Sequence, residues 1–127
     1  MWLKKYSFAP KMKQSSYETK LWFLFFCNLK MEKQPCVYIM ASKRNGTLYV
    51  GVTSNLIKRI YQHKYVEGIG GFAKKYDCIY LVYFELCGDM LTAITREKQI
   101  KAGSRKKKLE LIEKTNSEWK DLYESLV

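Results

Sequence analysis

From Cys36 onward, short apolar runs alternate with turn signals, and after Leu91 the spacing becomes helical. Residues 36–40 (CVYIM), β-branched and aromatic after Pro35, predict a strand. Lys43-Arg44-Asn45-Gly46 predicts a turn in which Asn-Gly supplies positive φ, and residues 47–52 (TLYVGV) return as the second strand of a hairpin. Leu56, Ile57, Ile60 and Tyr61 form one stripe and predict a helix over 55–64, capped by Thr53 or Ser54. Gly68, Gly70 and Gly71 mark a loop. Residues 79–85 (IYLVYFE) predict a third strand, the most apolar of the three and therefore expected at the centre of the sheet. Leu91 to Ala102 predicts a helix stopped by Gly103, and Ser104 caps a very basic one (RKKKLELIEK). Ser117 is expected to cap a last helix carrying Trp119, Leu122, Tyr123 and Leu126. The order β-β-α-β-α-α predicts an α+β fold, a three-stranded antiparallel sheet flanked by helices.

The 127 residues, 47% of them hydrophobic, suffice for one domain with a core. Residues 1–30 read as a basic N-terminal extension, either disordered or the product of a start codon placed upstream. Met31 opens a segment, MEKQPCVYI, that reads like the beginning of the domain, which then spans 31–127. The longest apolar run, Leu21 to Cys27, is far shorter than the roughly 20 residues of a membrane span. The net charge is +11, with +5 in residues 1–30 and +6 in the rest. A basic domain attracts polyanions, nucleic acid before an anionic membrane, although solubility alone would also account for the charge. Cys27, Cys36, Cys78 and Cys87 contain no C-x-x-C pair, and His63 is the single histidine, so a four-ligand zinc site is not indicated. With no signal peptide in view, free thiols in a reducing cytoplasm are expected.

Three places could carry chemistry. A turn at 43–46 pairs even-numbered residues of the first strand with odd-numbered residues of the second, which puts Tyr38 and Tyr49 on one face. Taken alone, the pair is more simply explained by cross-strand aromatic packing, since strands are rich in tyrosine. On the first helix, with Leu56 at 0°, Arg59 falls near about 300° and His63 near about 340°, an i, i+4 pair at the edge of the buried stripe. A solvated cation and a partly covered imidazole would look the same. On the next helix, Glu97 is centred on the apolar face, with Ala93 and Ile94 before it and Ile100 after it. A carboxylate there needs a cation, either a metal or a basic side chain such as Lys101 or Arg59. A hard oxygen ligand suits Mg²⁺, which typically takes one or two carboxylates and keeps its waters.

Val37-Tyr38, followed ten residues later by Tyr49-Val50-Gly51, then a helix with Arg59 and His63, then a helix with Glu97, resembles the GIY-YIG nucleases. The resemblance extends from about Cys36 to Leu122. It is nearest to the small stand-alone bacterial members, which end in an Asn-x-x-Trp segment like Asn116-Ser117-Glu118-Trp119. Cys36 stands where the family's first glycine would be, and Asn116 is the only match for its late asparagine.

The resemblance implies hydrolysis of a DNA phosphodiester with one divalent metal, Mg²⁺ or Mn²⁺, held by Glu97. Tyr49 would take the proton of the attacking water, with Arg59 and the metal favouring its phenolate. Tyr38 and His63 would complete the proton shell, and Arg59 would stabilise charge on phosphorus. Gly51 would let the backbone approach the site. Arg105, Lys106, Lys107 and Lys108, on the basic helix, are the expected phosphate contacts, with Asn116 as a further substrate contact. No second DNA-recognising module is evident, so branched or damaged DNA, or a protein partner supplying specificity, fits better than a defined sequence. The rival readings are a module that grips nucleic acid without cutting it and a partner subunit of a repair complex.

Overall fold

The computed structural model describes residues 33–66 and 71–127. The expectations for residues 1–30, and for Gly68 and Gly70, lie outside them. The first hairpin is β1 (Cys36–Ala41) and β2 (Leu48–Thr53), antiparallel, with Tyr38 opposite Gly51 and Met40 opposite Tyr49. This is the even-against-odd register that the turn requires, and Asn45 takes the left-handed conformation at φ 58°. β3 (Tyr80–Leu86) pairs antiparallel with the other edge of β1, so the order is β2-β1-β3.

The centre of the sheet is therefore β1, a correction to the expectation that placed β3 there. All six residues of β1 are buried, because both its edges are hydrogen-bonded and both its faces are covered. The ends of β3 are exposed, with Leu86 at 61%. Its apolar sequence reflects two partly covered faces rather than a central position.

Five helices flank the sheet among the described residues. α1 (Leu56–Tyr65) is capped by Asn55, whose side chain accepts from the Lys58 N–H. The expected caps, Thr53 and Ser54, fall just short, and the Thr53 hydroxyl instead accepts from the Asn55 N–H. α2 (Gly71–Lys75) occupies part of the segment read as loop. α3 (Met90–Ala102) is capped by Asp89 and α4 (Arg105–Thr115) by Ser104. No helix is capped by Ser117. The chain turns through Asn116 and Trp119, the latter at φ 56°, and only the short α5 (Tyr123–Leu126) follows. Among the described residues, no helix is long and apolar enough to cross a membrane.

The alternation of β1 divides the core in two. Val37, Ile39 and Ala41 pack with Ala93 and Ile100 of α3 and Ile112 of α4. Tyr38 and Met40 point to the opposite face, where His63 of α1 meets Tyr38. The C-terminal end is tied down by Asp121, which ion-pairs with Lys64 and accepts from the Leu81 N–H.

Candidate active site

The sheet and α1 bring Tyr38, Tyr49 and His63 together. Ring centroids are 6.2 Å apart for the two tyrosines, 5.9 Å for Tyr38–His63 and 5.4 Å for Tyr49–His63. The Tyr38 hydroxyl and His63 Nε2 share a hydrogen bond of 3.0 Å. Tyr38 and His63 are buried at 1% and 3% exposure, while Tyr49 is half-buried. Of the three rings, Tyr49 is thus the one that solvent can reach, and the other two are buried.

Burial above all, and the neighbouring Tyr49 next, push the Tyr38 phenol well above the ordinary tyrosine range. Arg59 opposes this through its positive charge, which places its guanidinium within electrostatic reach of Tyr38. Burial first, and the Arg59 charge second, pull His63 down to about 4. The imidazole is therefore neutral near pH 7, with one N–H and one lone pair, and its Nδ1 is buried without a hydrogen-bond partner among the described residues. The Tyr38–His63 bond can run in either direction without any change of charge.

The sign of the resulting pH dependence is fixed. The unfolded chain binds a proton at an ordinary histidine value, about 6.5, and the folded chain only near about 4. Stability contributed by neutral His63 is complete above about pH 6.5 and is lost as pH falls towards about 4. At about pH 5 the loss is about 2 kcal/mol. Melting of the parent and of His63→Gln at about pH 7.5 and about pH 5 checks this: the parent should lose that much more than the variant, and equal losses would mean that His63 titrates normally.

Gly51 seats this cluster, and not by the route the sequence suggested. A Cβ at position 51 would stand 2.5 Å from the Tyr38 hydroxyl oxygen and 2.6 Å from its ring carbon Cζ. The glycine is itself buried, so its missing side chain makes room for the Tyr38 ring rather than for an approaching phosphate.

Glu97 lies on α3, which packs along β2, the strand of Tyr49, and along β1. Its Oε2 is 3.0 Å from Lys101 Nζ, so the cation that the sequence demanded is present as an i, i+4 lysine rather than Arg59. Arg59 donates instead to Gln62 Oε1 at 3.2 Å. Among the described residues, no hydrogen bond or ring contact joins Glu97 to the tyrosine–histidine cluster. Lys101 is half exposed and Glu97 mostly covered, at 52% and 15%. The Glu97 Oε1 oxygen accepts no hydrogen bond among the described residues and remains available to a hard cation. No group of three or more His, Cys, Asp or Glu lies together among the described residues. Glu97 offers a carboxylate, and a single carboxylate fits an ion that keeps most of its waters, as Mg²⁺ does.

The expected phosphate contacts divide. Arg105 is held to the hairpin turn, its Nη2 donating to the carbonyls of Asn45 and Gly46 at 2.8 Å each. Lys108 donates to the Gly103 carbonyl at 2.7 Å. Lys106 and Lys107 are exposed, with no partner among the described residues. Lys107, Lys108, Lys114 and Arg96 line an open groove of about 470 Å³ between α3 and α4, away from the tyrosine cluster. Asn116 is not free to touch a substrate. Its Nδ2 donates to the carbonyls of Val82 and Lys120 and its Oδ1 accepts from the Lys120 N–H, so it clamps the turn after α4 onto β3.

Sequence reading missed Phe72. Its ring lies 6.3 Å from that of Tyr49 at an interplanar angle of 25°, and the glycines before it had marked this stretch as a featureless loop.

The family model described as the GIY-YIG catalytic domain matches residues 34–110. The chain is 39% identical over 77 residues to a UPF0213 protein of Staphylococcus haemolyticus, a match covering 61% of this chain and 92% of that protein. It is 38% identical over 76 residues to one from Staphylococcus saprophyticus, covering 60% and 90%. A UPF0213 protein of Desulfotalea psychrophila is 32% identical over 87 residues, 68% of this chain and 78% of that protein. No solved structure matches significantly.

Proposed function

This chain belongs to the GIY-YIG family, whose domain is of nuclease type, and from that premise we propose that it is a metal-dependent endonuclease acting on DNA, with branched or damaged DNA as its substrate in repair or processing in the cytoplasm. The observation that carries the reading is the graded cluster Tyr49–Tyr38–His63, with one phenol accessible and a buried neutral imidazole behind it.

The Tyr49 hydroxyl holds the attacking water and takes up its proton as it releases its own to the solvent that reaches this half-buried ring. Tyr38 and His63, hydrogen-bonded to each other and uncharged near pH 7, pack against that ring and orient it. Arg59, whose field already reaches this cluster, meets the charge that builds on the phosphate oxygens with a planar guanidinium fork. Glu97 would hold a divalent cation, Mg²⁺ or Mn²⁺, which would supply Lewis-acid stabilisation of the developing charge. Lys106 and Lys107, with the basic groove beside them, attract the DNA backbone irrespective of sequence. Without a second reading module, selectivity comes from DNA shape or from a protein partner.

The test is incubation of the purified protein with labelled duplex, branched and single-stranded DNA. Internal cutting with Mg²⁺ or Mn²⁺ that stops with a chelator is the expected result. Binding of all three without cutting by either metal would favour the non-catalytic module.

A further inference from the structure

A five-residue helix that buries one alanine leaves two aromatic rings in solvent beside the accessible tyrosine. Phe72 is 51% exposed and Tyr76 43%. Their centroids are 4.6 Å apart, and Phe72 is stacked at a shallow angle against Tyr49. The aromatic surface is thus continuous from the candidate catalytic ring outward. It is also held in place. Ala73 and Cys78 are buried, the Cys78 N–H donates to the Ala73 carbonyl and the Tyr76 N–H to that of Phe72. Such anchoring keeps the two rings presented rather than letting them collapse onto the core.

The charge around the rings is cationic. Lys74 and Lys75 belong to the same helix, and the Lys75 ammonium lies 5.4 Å from the Tyr76 ring centroid. Asp77 is the one acid adjoining them in sequence, at the turn that ends the helix. Exposed aromatic faces interleaved with lysines suit a nucleobase joined to a phosphate: every base has a π-face to stack, and its backbone has a charge to meet. A duplex offers no such face, because its bases already stack on each other.

We infer that Phe72, with Tyr76 beside it, is a stacking platform for an unpaired base next to the phosphate presented to Tyr49, so that the substrate class is nucleic acid with single-stranded or unstacked nucleotides at the cut. The inference deepens the nuclease reading, because it rests on Tyr49 facing the phosphate. A paired, regular duplex meets the basic surface but not the platform. A single-stranded stretch, a flap or a distorted position meets both.

The experiment separates binding from cutting. The full-length protein is titrated, in chelator, into oligonucleotides carrying 2-aminopurine at successive positions, either single-stranded or fully paired. Quenching of the probe in the single strand on binding is expected, together with tighter binding than to the duplex. Phe72→Ala should abolish the quench and weaken single-strand binding by about 5- to 100-fold, with duplex binding unchanged within about twofold. Phe72→Trp should restore single-strand affinity. Equal weakening for single strand and duplex, or no change in either, overturns the platform, as does a patch that binds a protein partner while Phe72→Ala leaves DNA binding intact. Loss of cutting on every substrate with the Phe72-dependent quench intact would remove the nuclease reading and still support the platform.

Discussion

Glu97→Gln is expected to lower metal-dependent cleavage by at least about a hundredfold, while DNA affinity stays level or rises and the protein melts as before. The side chain keeps its shape and loses only its charge. Its partner Lys101 is half exposed, so the freed ammonium remains hydrated and the change in stability should stay within about 1 kcal/mol. Had the partner been a buried cation, the same substitution would have stranded it at a cost of roughly 3–5 kcal/mol. The structure makes the melting measurement decisive on this point. A variant that unfolds would turn Glu97 into a structural anchor. One that cuts at the parental rate would remove it from the site.

The hairpin register, and with it the shared face of Tyr38 and Tyr49, could be derived from turn length alone, because side chains alternate with period two. The i, i+4 pair Arg59 and His63 was legible for the same kind of reason, as helical period fixes direction. What could not be read was depth. Nothing in one sequence says that Tyr38 is buried and Tyr49 accessible, since that depends on which faces of β1 and β2 the helices cover. The same blindness put β3 at the centre: apolarity reports covered faces, whereas centrality is a matter of which edges pair.

Asn116 and Gly51 were found for one reason and serve another. Both stood out by resemblance, yet the Asn116 amide is occupied by three backbone groups and Gly51 is occupied by the Tyr38 ring. The basic run offers Arg105 as a phosphate contact, whereas the hairpin turn that it grips is 59 and 60 residues away. Long-range partners of polar side chains leave no periodic trace. Phe72 went unread because its segment has too few residues for a period and three glycines before it.

The cleavage rate of Tyr49→Phe beside that of the parent, under single-turnover conditions with saturating Mg²⁺ or Mn²⁺, tests the central claim most directly. The substitution removes one oxygen from a half-buried ring and preserves its ring contacts with Tyr38, His63 and Phe72. Folding and DNA affinity should therefore be unchanged. If the Tyr49 hydroxyl is the group that takes the proton of the attacking water, the rate should fall by about 10²- to 10⁴-fold, the usual contribution of a positioned acid or base. A Tyr49→Phe protein that cuts at the parental rate, on DNA that the parent cuts only with metal, would contradict the account.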